Sequence, residues 1–202
     1  MYNKTIDEFV KLSASKEPVP GGGGVSALVG ALAASLTCMS TNLSIGKKKC
    51  LDYTNDLEKI RNDATLLSDK LLEAINEDAK AFYPLSKAYK LPKDSDNYAE
   101  TLEKCLLDAA NSPLNIMKLC CKVIDLDSEL SKIASKLSIS DVATSLCLAN
   151  GALKGAYINV LVNTRLMNDK NVSSDLEKKA KEMLDIYIKK ADVVYKEIEE
   201  RL

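Results

Sequence analysis

Four consecutive glycines, Gly21 to Gly24, follow Pro20 and open onto a stretch from Val25 to Ile45 dense in Ala, Ser, Gly and Leu. Such a run costs backbone entropy that a plain connector does not require, and it leaves the N–H groups of a following helix open to an anion or a carbonyl. It reads as a ligand cradle or as a turn that lets the helix pack closely on a neighbour. It has no Gly-Lys-Ser/Thr ending, so it is not a nucleotide P-loop, and no strand precedes it as a dinucleotide fingerprint demands. Asp78 falls in an apolar helical seam. Desolvation there disfavours the ionised form and raises its pKa toward the range useful for proton transfer, unless a cation on another helix pairs with it or the seam drifts by one residue and exposes it.

Lys154 is the sole charge between Val142 and Thr164. It serves as a proton donor or acceptor if it is held in the core, or its long stem carries the ammonium to water. Ser140-Asp141 reads as a capping and dipole pair at a helix start. Asn159 and Asn163, one turn apart, either read the amide edge of a heterocycle or hydrogen-bond neighbouring backbone. Lys47, Lys48 and Lys49 complement the C-terminal dipole of the helix before them or meet a polyanionic tail. The chain contains no histidine. Acid–base chemistry near neutral pH therefore falls to Asp, Glu, Lys, Tyr or Cys, and zinc held by histidine ligands is excluded.

Helices must position these residues. A capping box at Thr5-Ile6-Asp7-Glu8 predicts a short helix to about Ser15. The charge-free segment from Pro18 to Gly46 predicts a central helix over Val25 to Ile45. It is long enough to cross a bilayer, yet Ser35, Thr37, Ser40, Thr41, Asn42 and Ser44 favour close packing on several neighbours instead. Leu57, Ile60, Ala64, Leu67, Leu71, Ala74 or Ile75, Asp78 and Phe82 step by three and four along an amphipathic helix from Leu51 to Tyr83, and Pro84 and Pro92 interrupt the chain beyond it. Asp94 to Asp96 can cap a helix through Tyr98, Leu102, Cys105 and Ala109, which Asn111-Ser112-Pro113 bends or restarts; Leu114 to Leu126 continues it and Ser128 to Leu137 forms a further short helix. Val142 to Thr164 is a second charge-poor helix, in which Gly151 and Gly155 permit a close helix contact. Asn168 to Asn171 form a loop before a capping box, Ser174-Asp175-Leu176-Glu177, that opens the last helix. No segment alternates like a strand. The expectation is one all-α domain over residues 1–202, a helical bundle around two charge-poor buried helices.

With 28 basic against 29 acidic residues, the chain lacks the positive field that nucleic acid or an anionic membrane needs. Six cysteines without a CxxC pair, and a charged N-terminus without a signal pattern, point to a reducing cytoplasm.

In order and spacing, the chain resembles the family of folate cyclodeaminases and methenyltetrahydrofolate cyclohydrolases, the domain at the C-terminal end of formiminotransferase-cyclodeaminase. The residues that carry the resemblance are Pro20-Gly21-Gly22-Gly23, Gly46-Lys47-Lys48-Lys49, Glu77-Asp78-Ala79, Ala88-Tyr89-Lys90-Leu91-Pro92, Pro113-Leu114, Ile139-Ser140-Asp141, Ala152-Leu153-Lys154-Gly155-Ala156, and Asn159-Val160 with Asn163. Where the family commonly has Ser after its three glycines, this chain has Gly24.

The resemblance implies an all-helical homodimer acting on a tetrahydrofolate derivative, with no metal or redox cofactor. The expected reaction is hydrolysis of 5,10-methenyltetrahydrofolate to 10-formyltetrahydrofolate. The alternatives are formiminotetrahydrofolate cyclodeamination with release of ammonia, or a non-catalytic folate-binding scaffold. By the same resemblance, Asp78 is the general acid or base, Lys154 relays a proton, and Asp141 binds the pterin or orients Lys154. Pro20 to Gly24, Ser140, Asn159 and Asn163 line the folate site, and Lys47 meets the glutamate tail.

Overall fold

The computed structural model describes residues 3–95 and 97–202, so the Asp96 part of the expected cap lies outside the described residues. Thr5 accepts from the Glu8 N–H while the Glu8 side chain reaches back to the Thr5 N–H, the reciprocal cap expected from their spacing, and α1 spans Ile6–Ser13. The helix α2 spans Gly22–Ser44, so three of the four glycines form its first turn rather than a loop before it. A 3-10 turn, Lys48–Tyr53, leads into α3, Thr54–Ala88. Pro84 does not interrupt α3, because the seam carried on by Leu85 and Ala88 stays buried. The helix α4, Tyr98–Ile133, is likewise continuous where the sequence suggested two breaks: Pro113 is absorbed within it, and no new helix begins at Ser128. Its run of buried residues from Leu114 through Asp127 to Leu130 supplies the tertiary packing that overrides those local signals.

The last two helices are α5, Ile139–Thr164, and α6, Lys170–Glu199. The latter starts earlier than its Ser174 box suggests, because Asp169 caps it by accepting from the N–H groups of Asn171 and Val172. Among the described residues there is no strand.

In the bundle, α2 packs on α3 and α5, α3 on α4, α4 on α5, and α6 on α5 and α4. Leu57, Leu71, Ile75, Leu106, Ile116, Met117, Leu130 and Leu153 are fully buried, each burial contributing about 1.5–3 kcal/mol. The two charge-poor helices run antiparallel: Ser26 meets Gly155, Thr37 meets Ser145, and Ser40 and Ser44 meet Ser138. Both are long and apolar enough to cross a bilayer by length and composition, yet each packs one face into the bundle. The other face remains exposed and apolar, with Val25, Leu32 and Met39 in one stripe of α2 and Ile158 and Val162 on α5.

A fully buried carboxyl group sits in this hydroxyl seam. Asp127 on α4 contacts Thr37 Oγ1 at 2.7 Å and Ser145 Oγ at 2.6 Å, and Ser145 Oγ also lies 2.9 Å from the Ala33 carbonyl. One serine proton cannot serve both acceptors. If Asp127 carries a proton it donates to Ser145, Ser145 donates to Ala33, and Thr37 donates to Asp127, so all three contacts are satisfied. Burial drives the Asp127 pKa up to about 7 against the opposing hydrogen bonds from Ser145 and Thr37.

This pKa is raised relative to an unfolded carboxylate at about 4, so the folded chain keeps a proton that the unfolded chain releases. The Asp127 contribution is full below about pH 4, declines as pH rises to about 7, and is flat above. Urea unfolding of the wild type against Asp127→Asn should show it. The wild type should lose about 2–3 kcal/mol more than the variant between pH 5 and pH 8. Parallel profiles would contradict a buried acid.

Candidate active site

The N-terminus of α2 has no side-chain cap of its own, since its N-cap residue is Gly21. Asp78 of α3 takes that role from a neighbouring helix. Its carboxylate accepts from the Gly24 N–H and from the Ser112 hydroxyl of α4, the latter at 3.3 Å, and it lies at the positive end of the α2 dipole. Burial raises the Asp78 pKa, opposed in turn by the hydrogen bonds from Ser112 and Gly24. Among the described residues no ion pair neutralises it.

Two glycines are required here by close approach. A Cβ on Gly23 would overlap the Asp78 carboxylate, and one on Gly22 would lie 2.6 Å from Asn159 Nδ2. The bare backbone of the first turn thus receives a carboxylate from α3 and an amide from α5. Pro20, joined to Val19 by a cis peptide bond, leads the chain into this turn.

The cleft so formed holds about 160 Å³ and is lined by Gly21, Gly22, Gly23, Asp78, Asn159 and Asn163, with Val19, Phe82, Pro113 and Val162 as apolar walls. Drug-sized ligands occupy sites of roughly 300–1,000 Å³, so this cleft suits the reacting end of a larger molecule. Asn163 spends both Nδ2 hydrogens on carbonyls, donating to Ala109 O and Asn159 O at 2.9 Å each, whereas Asn159 Nδ2, which faces Gly22, spends one on Gly155 O at 2.8 Å. Because only the NH₂ side of an amide can donate to a carbonyl, this fixes their orientation. Asn163 therefore has only its carbonyl oxygen left to offer a cleft that also holds a carboxylate, while Asn159 can still donate. The described lining carries a carboxylate and no cation, which suits N–H donors and positive charge.

The structure thus brings Asp78, Pro20 to Gly24, Asn159 and Asn163 to one place. It does not bring the other sequence candidates there within the one chain. Lys154 is exposed on α5, on the same face as Ile158, so its stem runs out to solvent. Ser140 and Asp141 lie in the first turn of α5, which the antiparallel pairing sets at the far end of α2 from Gly22. Lys47 follows the C-terminus of α2, about 33 Å along that helix from its first glycine. It lines a separate depression with Lys48, Lys49, Lys132 and Lys136.

Ser112 and Phe82 are site residues that sequence reasoning did not single out for chemistry. The signal for Ser112 was its place before Pro113, where a helix bend aims side chains unusually. Gly23→Ala tests the close approach. Alanine is the better helix former by about 1 kcal/mol, so the fold should survive while the Asp78 carboxylate is displaced. Thermal unfolding should stay within a few degrees of wild type while ligand binding and any turnover are lost. Retained binding would show that the contact is dispensable.

The profile of the formiminotransferase-cyclodeaminase family matches residues 5–182. The chain is 33% identical over 186 residues to a methenyltetrahydrofolate cyclohydrolase of Methylorubrum extorquens, covering 90% of this chain and 89% of that one. It is 26% identical over 192 residues to a formimidoyltransferase-cyclodeaminase of Gallus gallus, covering 92% of this chain but 35% of that one, so it spans about a third of that longer protein. The crystal structure of formiminotetrahydrofolate cyclodeaminase from Thermotoga maritima superimposes with a TM-score of 0.84 at 25% identity, over 98% of this chain and 94% of that one. On a match that covers all six helices, the last of them in part, the chain belongs to the formiminotransferase-cyclodeaminase family.

Proposed function

We propose that the chain hydrolyses 5,10-methenyltetrahydrofolate to 10-formyltetrahydrofolate. The observation that carries the reading is the Asp78 carboxylate in a cleft whose described lining has no lysine or arginine, a site complementary to the cationic amidine of the substrate. Likeness over nearly the full length of a cyclohydrolase supports hydrolysis over deamination. Water adds to the bridging carbon and Asp78 takes its proton. The neutral adduct then opens by breaking the bond between that carbon and N5: N5 takes the proton held by Asp78, the adduct's hydroxyl releases its proton to water as it becomes the formyl carbonyl, and the formyl group stays on N10. Asp78 must be ionised to begin, so the rate falls as pH drops through its raised pKa. No residue of this scheme calls for a metal or redox cofactor.

Cyclodeamination is the second reading, supported by the fold shared with the Thermotoga maritima enzyme. It uses the same cation as product rather than substrate, and the same carboxylate would steady it. The proposal includes a cytoplasmic homodimer of one-domain chains, joined through the exposed apolar faces of α2 and α5. The stripe of Val25, Leu32 and Met39 beside Ile158 and Val162, with Lys154 the sole charge on the α5 face, exceeds the scattered exposure of a monomer. If the helices cross antiparallel in a symmetric pair, the far ends of α2 and α5 from the second copy approach each cleft. That is the arrangement in which Ser140 and Asp141 reach the pterin and Lys47 the glutamate tail, with Lys154 relaying a proton from the shared face.

Loss of the methenyl absorbance band on adding protein tests hydrolysis, and growth of the band from the formimino substrate tests deamination. Asp78→Asn should lower the active rate by about a hundredfold or more. Wild-type rates in both Asp78→Asn and Lys154→Met would remove the assignment, and absence of reduced-folate binding by calorimetry would favour a scaffold. Leu32→Glu should convert a dimer to a monomer in light scattering; an unchanged mass would move the interface elsewhere.

A further inference from the structure

Pro113 of the continuous helix α4 lines the cleft. Pro113 has no N–H to give the Ala109 carbonyl four residues back. Asn163 of α5 supplies the missing donor at 2.9 Å, from one helix to the freed acceptor of another. Ser112, immediately before the proline, is one of the hydroxyls that leave their own helix, as Ser40 does toward Ser138 and Ser145 toward Asp127. Ser26, Ser35, Thr37, Thr41 and Ser44 each donate to the carbonyl four residues back in α2. The Ser112 hydroxyl instead crosses to Asp78 Oδ1 on α3.

We propose that Ser112 is a positioning residue for Asp78, its hydroxyl crossing from α4 to the carboxylate beside Pro113, where Asn163 caps the freed Ala109 carbonyl. The inference rests on Asp78 being the proton-transfer group of the proposed reaction. Three helices meet in this one relay: α5 holds α4 through Asn163 and Ala109, and α4 holds the α3 carboxylate through Ser112. A donor on a carboxylate favours its ionised form, so Ser112 works against the burial that raises the Asp78 pKa. Asp78 is the sole titratable group among the residues lining the cleft. Glu77 and Lys80 on α3 and Asp108 on α4 are exposed, and the first turn of α2 carries no charge.

The test is a carbon-13 NMR titration of the Asp78 carboxyl in the full, ligand-free chain, assigned by its disappearance in Asp78→Asn. Ser112→Ala should move the midpoint to higher pH, and Ser112→Thr, which keeps the hydroxyl, should hold it near wild type. Pro113→Ala, whose N–H competes with Asn163 for the Ala109 carbonyl, should shift the midpoint in the same direction as Ser112→Ala. An unmoved midpoint in Ser112→Ala, or an equal shift in Ser112→Thr, overturns the proposal. The reaction itself is read separately: the acid limb of kcat for methenyl hydrolysis should follow the midpoint across the variants, with KM unchanged. A midpoint that shifts in a protein without turnover keeps the positioning and removes only the proposed reaction.

Discussion

The carboxylate of Asp78 lies against the bare backbone at the start of α2, and the site depends on that contact. A helix start with no side-chain cap leaves N–H groups and a positive dipole end to be satisfied. Here a carboxylate from α3 satisfies them, which requires glycine at position 23, where a Cβ would occupy the same space. The same absence at Gly22 admits Asn159 from α5. Glycines that look like a flexible loop are instead part of a rigid helical turn on which two other helices converge. The carboxylate is desolvated yet held by two donors, so it is both basic enough to accept a proton and oriented toward the cleft.

The rest of the bundle keeps these helices in register through small side chains and hydroxyl groups rather than bulk. Along α2 and α5, serines and threonines satisfy each other and the backbone, and Asp127 ties that seam to α4. A polar network inside an apolar core costs stability wherever one member lacks a partner, so it selects a single register of α2 against α5. That register decides which residues share the cleft with Asp78. It brings Asn159 and Asn163 to the glycines and carries Asp141 to the opposite end.

Much of this was legible in the residues. The 3.6-residue periodicity of Leu57 to Phe82 put Asp78 in a buried seam, the Thr5 box opened α1 as spaced, and the absence of charge marked α2 and α5 as the helices with the most apolar surface to cover. The misread boundaries share one cause. Pro84, Pro113 and the Asp127-Ser128 pair are local breakers, and in each case burial of the surrounding stripe was worth more than the local preference.

Sequence alone determined the helical class, the lack of histidine chemistry, the acid in the seam and the ordered family motifs, because composition and short-range spacing carry that information. The tertiary structure alone decided what Asp78 touches, why Gly22 and Gly23 lack side chains, that Ser112 belongs to the site, and that Lys154, Asp141 and Lys47 stand outside the cleft of one chain. Those facts arise from contacts between helices tens of residues apart, and from a helix pair whose antiparallel direction no local pattern encodes. The glycine run was visible in the sequence as a site; only the packing of α3 and α5 against it shows that its emptiness is filled by an acid and an amide.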